Sequence, residues 1–182
     1  MMFLKAAMIA NDLLQGFASG GEMHSPFLFE HSAPQINDHG TGCKDIEWTV
    51  DLEEQKIFLS IKSMPHADWV GLSVSDTGGM KGADIVTVKN IKRDGAGEKD
   101  SFVIEDSIAN EDSLKPTNGT LQSSELIFAE FVENGSIHAI FSRDLDPGEK
   151  GGLPPFSSHD QYFTCASGKT DENDDLAYLL RI

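Results

Sequence analysis

Long apolar runs are missing from this 182-residue sequence. No stretch approaches the ~18 apolar residues that a membrane-spanning helix needs, which argues against direct insertion into a bilayer. Basic residues are scarce: 14 Lys and Arg stand against 30 Asp and Glu, for a formal net charge of -16. A field of that sign repels nucleic-acid phosphates and anionic lipid head groups, so neither is an expected partner. It suits cations and neutral polyols. Cysteine is limited to Cys43 and Cys165. Two are too few for a disulfide scaffold and offer no metal-ligand spacing. Either both are buried thiols or they form one long-range bridge. The sequence also has no Gly-x-Ser-x-Gly, no Walker-type phosphate loop and no two-His helix motif. On its own the chain is not expected to be an enzyme.

What is present suits a packed single domain. Hydrophobic residues make up 39% and charged residues 24%, enough apolar content for a core and too little charge for global disorder. Residues 1–20, "MMFLKAAMIANDLLQGFASG", join a Lys to a short apolar run interrupted by Asn11 and Asp12. That run is at the lower limit for a secretory signal, and an amphipathic helix reads the same way. Residues 21–43 are loop-rich, with one edge strand at "PFLFEH". The period then changes to two. "DIEWTVD" puts Ile46, Trp48 and Val50 on one face, and "KIFLSIK" does so with Ile57, Leu59 and Ile61. "WVGLSVS" sets Val70, Leu72 and Val74 opposite Trp69. "ADIVTVKNI", "DSFVIED", "SELIFAEFV", "SIHAIFSR" and "DQYFTCAS" continue the series. Turn formers separate the runs, and Asn134-Gly135 marks the clearest hairpin. This spacing predicts an all-β fold, an antiparallel immunoglobulin-like sandwich of about eight to ten strands. A short helical or disordered segment precedes it, and the acidic residues 169–182, with "TDENDD", form a solvated tail or the start of a further segment. The predicted core includes Trp48, Ile57, Leu59, Val70, Leu72, Val86, Leu126, Phe128, Ile140 and Phe163.

The strands, read in order, carry a family resemblance. "IEWTVD" and "KIFLSIK" are followed by "GLSVSDTGGMKGADIV", then "DSFVIED", "AIFSRDLDPGE" and a last strand ending in "CASG". Over roughly residues 44–168 the series resembles the DOMON domain, the module named from the N-terminal region of dopamine β-monooxygenase. The resemblance implies a β-sandwich used outside the cell or at its surface. Some members hold haem b between a Met and a His and carry electrons. Others have been proposed to bind sugars, and others sit beside a copper monooxygenase domain without catalysing anything. Copper chemistry needs several His and Met ligands on a separate large domain, for which this chain has no room. The implied role is a non-catalytic extracellular ligand-binding or interaction module, from a copper-monooxygenase-like or membrane redox protein. A b-type cytochrome domain is the alternative, and a carbohydrate-binding sandwich is a further one. The expected partner is a small ligand, haem or sugar, or an adjacent redox domain.

On this resemblance Met80 matches the family's Met ligand. A thioether is a soft axial ligand that favours ferrous iron. The second ligand should be a His near the start of the last strand. His159 is in that region but about four residues early, and Phe163 falls where the family's His would lie. His138 is another candidate, more readily a cross-strand surface residue. Asp84 and Asp100 flank strands that are expected to pair. If their carboxylates meet at one end, they suit Ca²⁺ or another hard cation; otherwise they cap turns. Arg143 is expected to pair with Asp144, Asp146 or a neighbouring loop. Trp48 and Trp69 either stack on a sugar or plug the core. Cys43 precedes the first sandwich strand and Cys165 sits in the last; if those strands are neighbours, a bridge is within reach. Two Asn-x-Ser/Thr triplets, Asn118-Gly119-Thr120 and Asn134-Gly135-Ser136, lie in predicted turns.

Overall fold

A computed structural model describes residues 28–33, 42–77, 81–91, 101–109, 123–147, 161–170 and 176–177. Ten strands lie within them: β1 (His31–Ala33), β2 (Cys43–Asp51), β3 (Lys56–Ser63), β4 (Trp69–Ser75), β5 (Asp84–Ile91), β6 (Ser101–Ile108), β7 (Ser124–Phe131), β8 (Ile137–Asp144), β9 (Tyr162–Thr170) and β10 (Leu176–Ala177). They form two five-stranded sheets, β1-β2-β3-β8-β7 and β10-β9-β4-β5-β6, with antiparallel pairs throughout. The eight strands from β2 to β9 are those that the period-two runs predict. β1 lies in the loop-rich lead-in and β10 in the acidic tail, so each lends a short edge strand. The chain changes sheet between β3 and β4, β6 and β7, and β8 and β9.

Alternation builds the core. Ile46, Ile57, Leu59, Ile61, Ile137, Ala139 and Phe141 from one sheet face Val70, Leu72, Val86, Val88 and Cys165 from the other. Cys43 and Cys165 are bonded across this core, with Cα atoms 5.7 Å apart. Their strands are not neighbours in one sheet: Cys43 pairs with Ser63 and Cys165 with Leu72, so the bridge ties sheet to sheet. At the end of the sandwich near Ser63, one serine hydroxyl bonds within its sheet and another reaches from β9 to the chain leaving β3. Ser63 Oγ accepts from Ile137 N at 2.8 Å, and Ser167 Oγ accepts from Met64 N at 3.1 Å.

Four predicted core residues are only half-buried. Trp48 lies beside a three-residue edge strand, and Phe163 is the second residue of β9. A bulge between Leu126 and Phe128 shifts the register of edge strand β7 and weakens its alternation. Trp69 departs the other way. It alternates onto the outer face of its sheet, yet it is 1% exposed. Its indole lies over Gly168, and Nε1 donates to Lys169 O at 3.1 Å. Trp69 is thus a plug and not a sugar platform. A Cβ on Gly168 would meet the ring at 3.1 Å, and the ring is held by its own hydrogen bond. Gly168→Ala is expected to destabilise by ~1–3 kcal/mol, the usual cost of overpacking. An unchanged urea midpoint would show that the indole can yield.

Candidate functional site

The strand register gathers one set of chain crossings at a single end of the sandwich. Lys56 pairs with Asp144, Ser124 with Arg143, Asp84 with Val74 and Ile108, and Tyr162 with Ser75. The β2–β3, β4–β5, β6–β7 and β8–β9 connections therefore all leave or enter here. Gln161 Nε2 donates to Asp76 Oδ1 at 2.9 Å, which clasps the start of the β4–β5 turn to the chain entering β9. The turn returns at Gly82, with φ of +72°, a left-handed conformation that glycine tolerates. Gly82 N donates to Ala109 O and Ala109 N to Ala83 O, tying the turn to the end of β6.

Beneath this end is a buried charged cluster. Asp84 on β5 and Arg143 on β8 form an ion pair across the two sheets, with side chains 0% and 1% exposed. Alternation places both inward: Asp84 shares its face with Val86 and Val88, and Arg143 with Phe141 and Ala139. Burial pushes the Asp84 carboxyl up to about 7, while the Arg143 guanidinium pulls it back down and Asp106 adds to the rise. Burial also lowers Arg143, against the pull of Asp84 and Asp106. Asp106 on β6 is buried too, and its Oδ2 accepts from Ser123 N and from Ser124 N, the latter at 2.8 Å. It thereby caps the start of β7, on the other sheet. Asp84 Oδ1 and Asp106 Oδ1 meet no hydrogen-bond donor among the described residues.

Around the cluster the surface is partly apolar. Among the five large apolar or aromatic side chains exposed within the described residues, Val50, Leu52 and Tyr162 stand at this end. Half-buried Trp48 stacks on His31, ring centroids 5.5 Å apart, and tilts against Phe163 at 5.6 Å. Trp48 comes from one sheet and Phe163 from the other, so the aromatic pair closes the gap between them.

Met80, His159 and Asp100 lie outside the described residues. Among the described residues, Asp76 and Gln161 are joined by a hydrogen bond. The predicted meeting of Asp84 with Asp100 follows from pairing of β5 with β6, and those strands do pair. However, they are antiparallel, so Asp84 faces Ile108 while Ser101, the residue after Asp100, faces Ile91 at the other end of the hairpin. The carboxylate that accompanies Asp84 is Asp106. Arg143 is expected from the sequence to pair with Asp144, Asp146 or a loop; the structure adds a partner across the core, Asp84. Its position on the inner face of "SIHAIFSR" carried that signal, because an inward guanidinium needs an inward carboxylate. His31 is the aromatic partner that the sequence reading missed.

The described residues supply no axial donor for haem at the position that the family pattern gives to His. Phe163 fills it, and its ring packs on Trp48. His138 is on the outer face near the opposite end, where Ser60 Oγ lies 3.2 Å from its Nε2. Burial, then Lys62, pushes it down to about 4, so its imidazole is neutral. No group of three or more His, Cys, Asp or Glu among the described residues is arranged to hold a metal ion. No described helix is long and apolar enough to cross a membrane.

No curated protein gives a significant match to the chain. The family model of the DOMON domain matches residues 41–168, most of the sequence and all strands from β2 to β8. The chain belongs to the DOMON family.

Proposed function

We propose that the chain is a non-catalytic extracellular module that binds a small ligand or docks an adjacent redox domain through the end of the sandwich built by the β4–β5 and β8–β9 connections. The observation that carries this reading is that exposed Val50, Leu52 and Tyr162 stand at the same end of the sandwich as the half-buried Trp48–Phe163 pair. Exposed apolar side chains grouped at one end mark a contact surface more often than a solvated one. The acidic setting favours a neutral or cationic occupant over an anionic one. A neutral sugar is one fit, since Trp48 presents an aromatic ring beside His31.

Haem b between Met80 and His159 is the second reading, supported by the hydrogen bond between Asp76 and Gln161, close to them in sequence. Phe163 weighs against it, because a phenyl ring in the family's His position donates nothing to iron. A haemin titration separates the two. The module reading expects no low-spin Soret spectrum. A low-spin spectrum abolished both by Met80→Ala and by His159→Ala would replace it with the cytochrome reading.

A further inference from the structure

We propose that Asn134 is a site of N-linked glycan attachment, placed at the end of the sandwich away from the proposed binding end; this rests on the extracellular reading above. The Asn134-Gly135-Ser136 triplet is an acceptor motif by residue type alone, and such motifs are common. What distinguishes this one is how the hairpin presents it. β7 and β8 are joined by a closed turn in which Val132 N donates to Ser136 O at 2.9 Å and Gly135 N to Val132 O at 2.8 Å. Gly135 takes a φ of +74°. On its far side the turn is held by His66, whose N donates to Gly135 O at 2.8 Å. Within the triplet Asn134 is exposed, Gly135 half-buried and Ser136 1% exposed.

The hydrogen bond that Asn134 makes is compatible with a glycan. Its Oδ1 accepts from Ser136 N at 2.9 Å. A glycan is carried on Nδ2, so Oδ1 keeps that role and the turn keeps its geometry. The side chain already faces solvent, so the folded hairpin has no core contact to give up. Because Ser136 is buried in the closed turn, a transferase can read its hydroxyl only before the hairpin forms, so attachment precedes folding. In the transfer, Nδ2 attacks the anomeric carbon of an oligosaccharide carried on a membrane-lipid pyrophosphate. The new C–N bond replaces the anomeric C–O bond. The lipid pyrophosphate leaves, and the amide proton passes to a base of the transferase. No electron is exchanged.

Position gives the modification its use. Ile137 pairs with Phe131 at the start of β8, whereas Arg143 of the charged cluster is at the other end of the same strand. A glycan on Asn134 therefore shields the far end and leaves the Trp48–Phe163 end open to its occupant.

The test is to express the full chain in eukaryotic cells behind a supplied secretory leader and to map peptides from the medium and the membrane fraction. The leader makes translocation a condition of the experiment. Peptide N-glycosidase should remove a discrete mass and convert the Asn134 amide to a carboxylate. Asn134→Asp keeps the Oδ1 acceptor and Ser136→Ala keeps Asn134, and both should lose the same mass while still folding. A translocated chain with Asn134 unmodified, whatever happens at Asn118, overturns the proposal and leaves the extracellular reading standing. That reading is tested apart from it, by fractionating the cells that naturally make the protein; the chain in the cytosol would overturn it.

Discussion

Replacing Cys43 and Cys165 together by Ala is expected to cost ~3–5 kcal/mol of stability. The bridge spans 122 residues of sequence, and closing a loop that long restricts the unfolded chain strongly. The chain-entropy model puts the contribution near ~5 kcal/mol for loops of this size, and native disulfides in small secreted domains measure ~2–5. Both cysteines are almost fully buried, at 1% and 3% exposure, so Ala is the cleaner replacement; Ser would bury two hydroxyls with nothing to bond. The measurement is the denaturant midpoint of the double variant against the oxidised protein. The same protein unfolded and refolded with reductant should approach the variant. A loss under ~1 kcal/mol would mean that hydrophobic burial alone holds the sheets, and that the bridge is incidental. The outcome bears on location as well. A fold that relies on one buried disulfide suits an oxidising compartment, where such a bond persists.

Much of the architecture was legible because strand alternation is a local signal. "WVGLSVS" is β4 to the residue, and the runs around it needed only small changes at their ends. Where the reading failed, the missing information was non-local. Period two says which residues share a face, but not which sheet a strand joins. The sequence leaves the Cys43–Cys165 bridge conditional on their strands being neighbours, and the bridge forms without that, across the core. The pairing of β5 with β6 is legible, but its antiparallel register, which puts Ser101 opposite Ile91 and Asp84 opposite Ile108, is not. Trp69 shows a third limit. Alternation assigns it to the outer face, and only the empty space over Gly168 lets the indole lie flat there and be buried. Arg143 is readable in the sequence, and its partner across the core is not. Its neighbours Phe141 and Ala139 alternate inward with it, which by itself demands a buried partner. Which acid answers that demand depends on how the two sheets stack, and nothing in "AIFSRDLD" encodes it.

Truncating that partner is expected to be at least as damaging as removing the bridge. Asp84→Ala removes the carboxylate that crosses the core to Arg143, and breaking a buried pair from one side costs ~3–5 kcal/mol. Replacing both, Asp84→Leu with Arg143→Met, removes both desolvation penalties and is expected to fall within ~1 kcal/mol of the parent, or above it. The contrast between single and double variants separates a charge that must be answered from a contact that merely packs. A pH series adds an independent reading. Burial holds Asp84 up at about 7 in the folded state, against an ordinary 3.8. The folded protein therefore binds this proton more tightly than the unfolded chain. The resulting stabilisation is complete below about pH 4 and is lost as the pH rises through 7. A rise of that size corresponds to at most ~4 kcal/mol, and the burial of Asp84 at 1% exposure leaves little solvent to screen it. Asp84→Asn keeps the shape without the titration, so its stability should run flatter than the parent's between pH 4 and 8. Parent and variant curves that stay parallel across that range, with Asp84→Ala costing under ~1 kcal/mol, would show that the cluster does not bind the two sheets at this end.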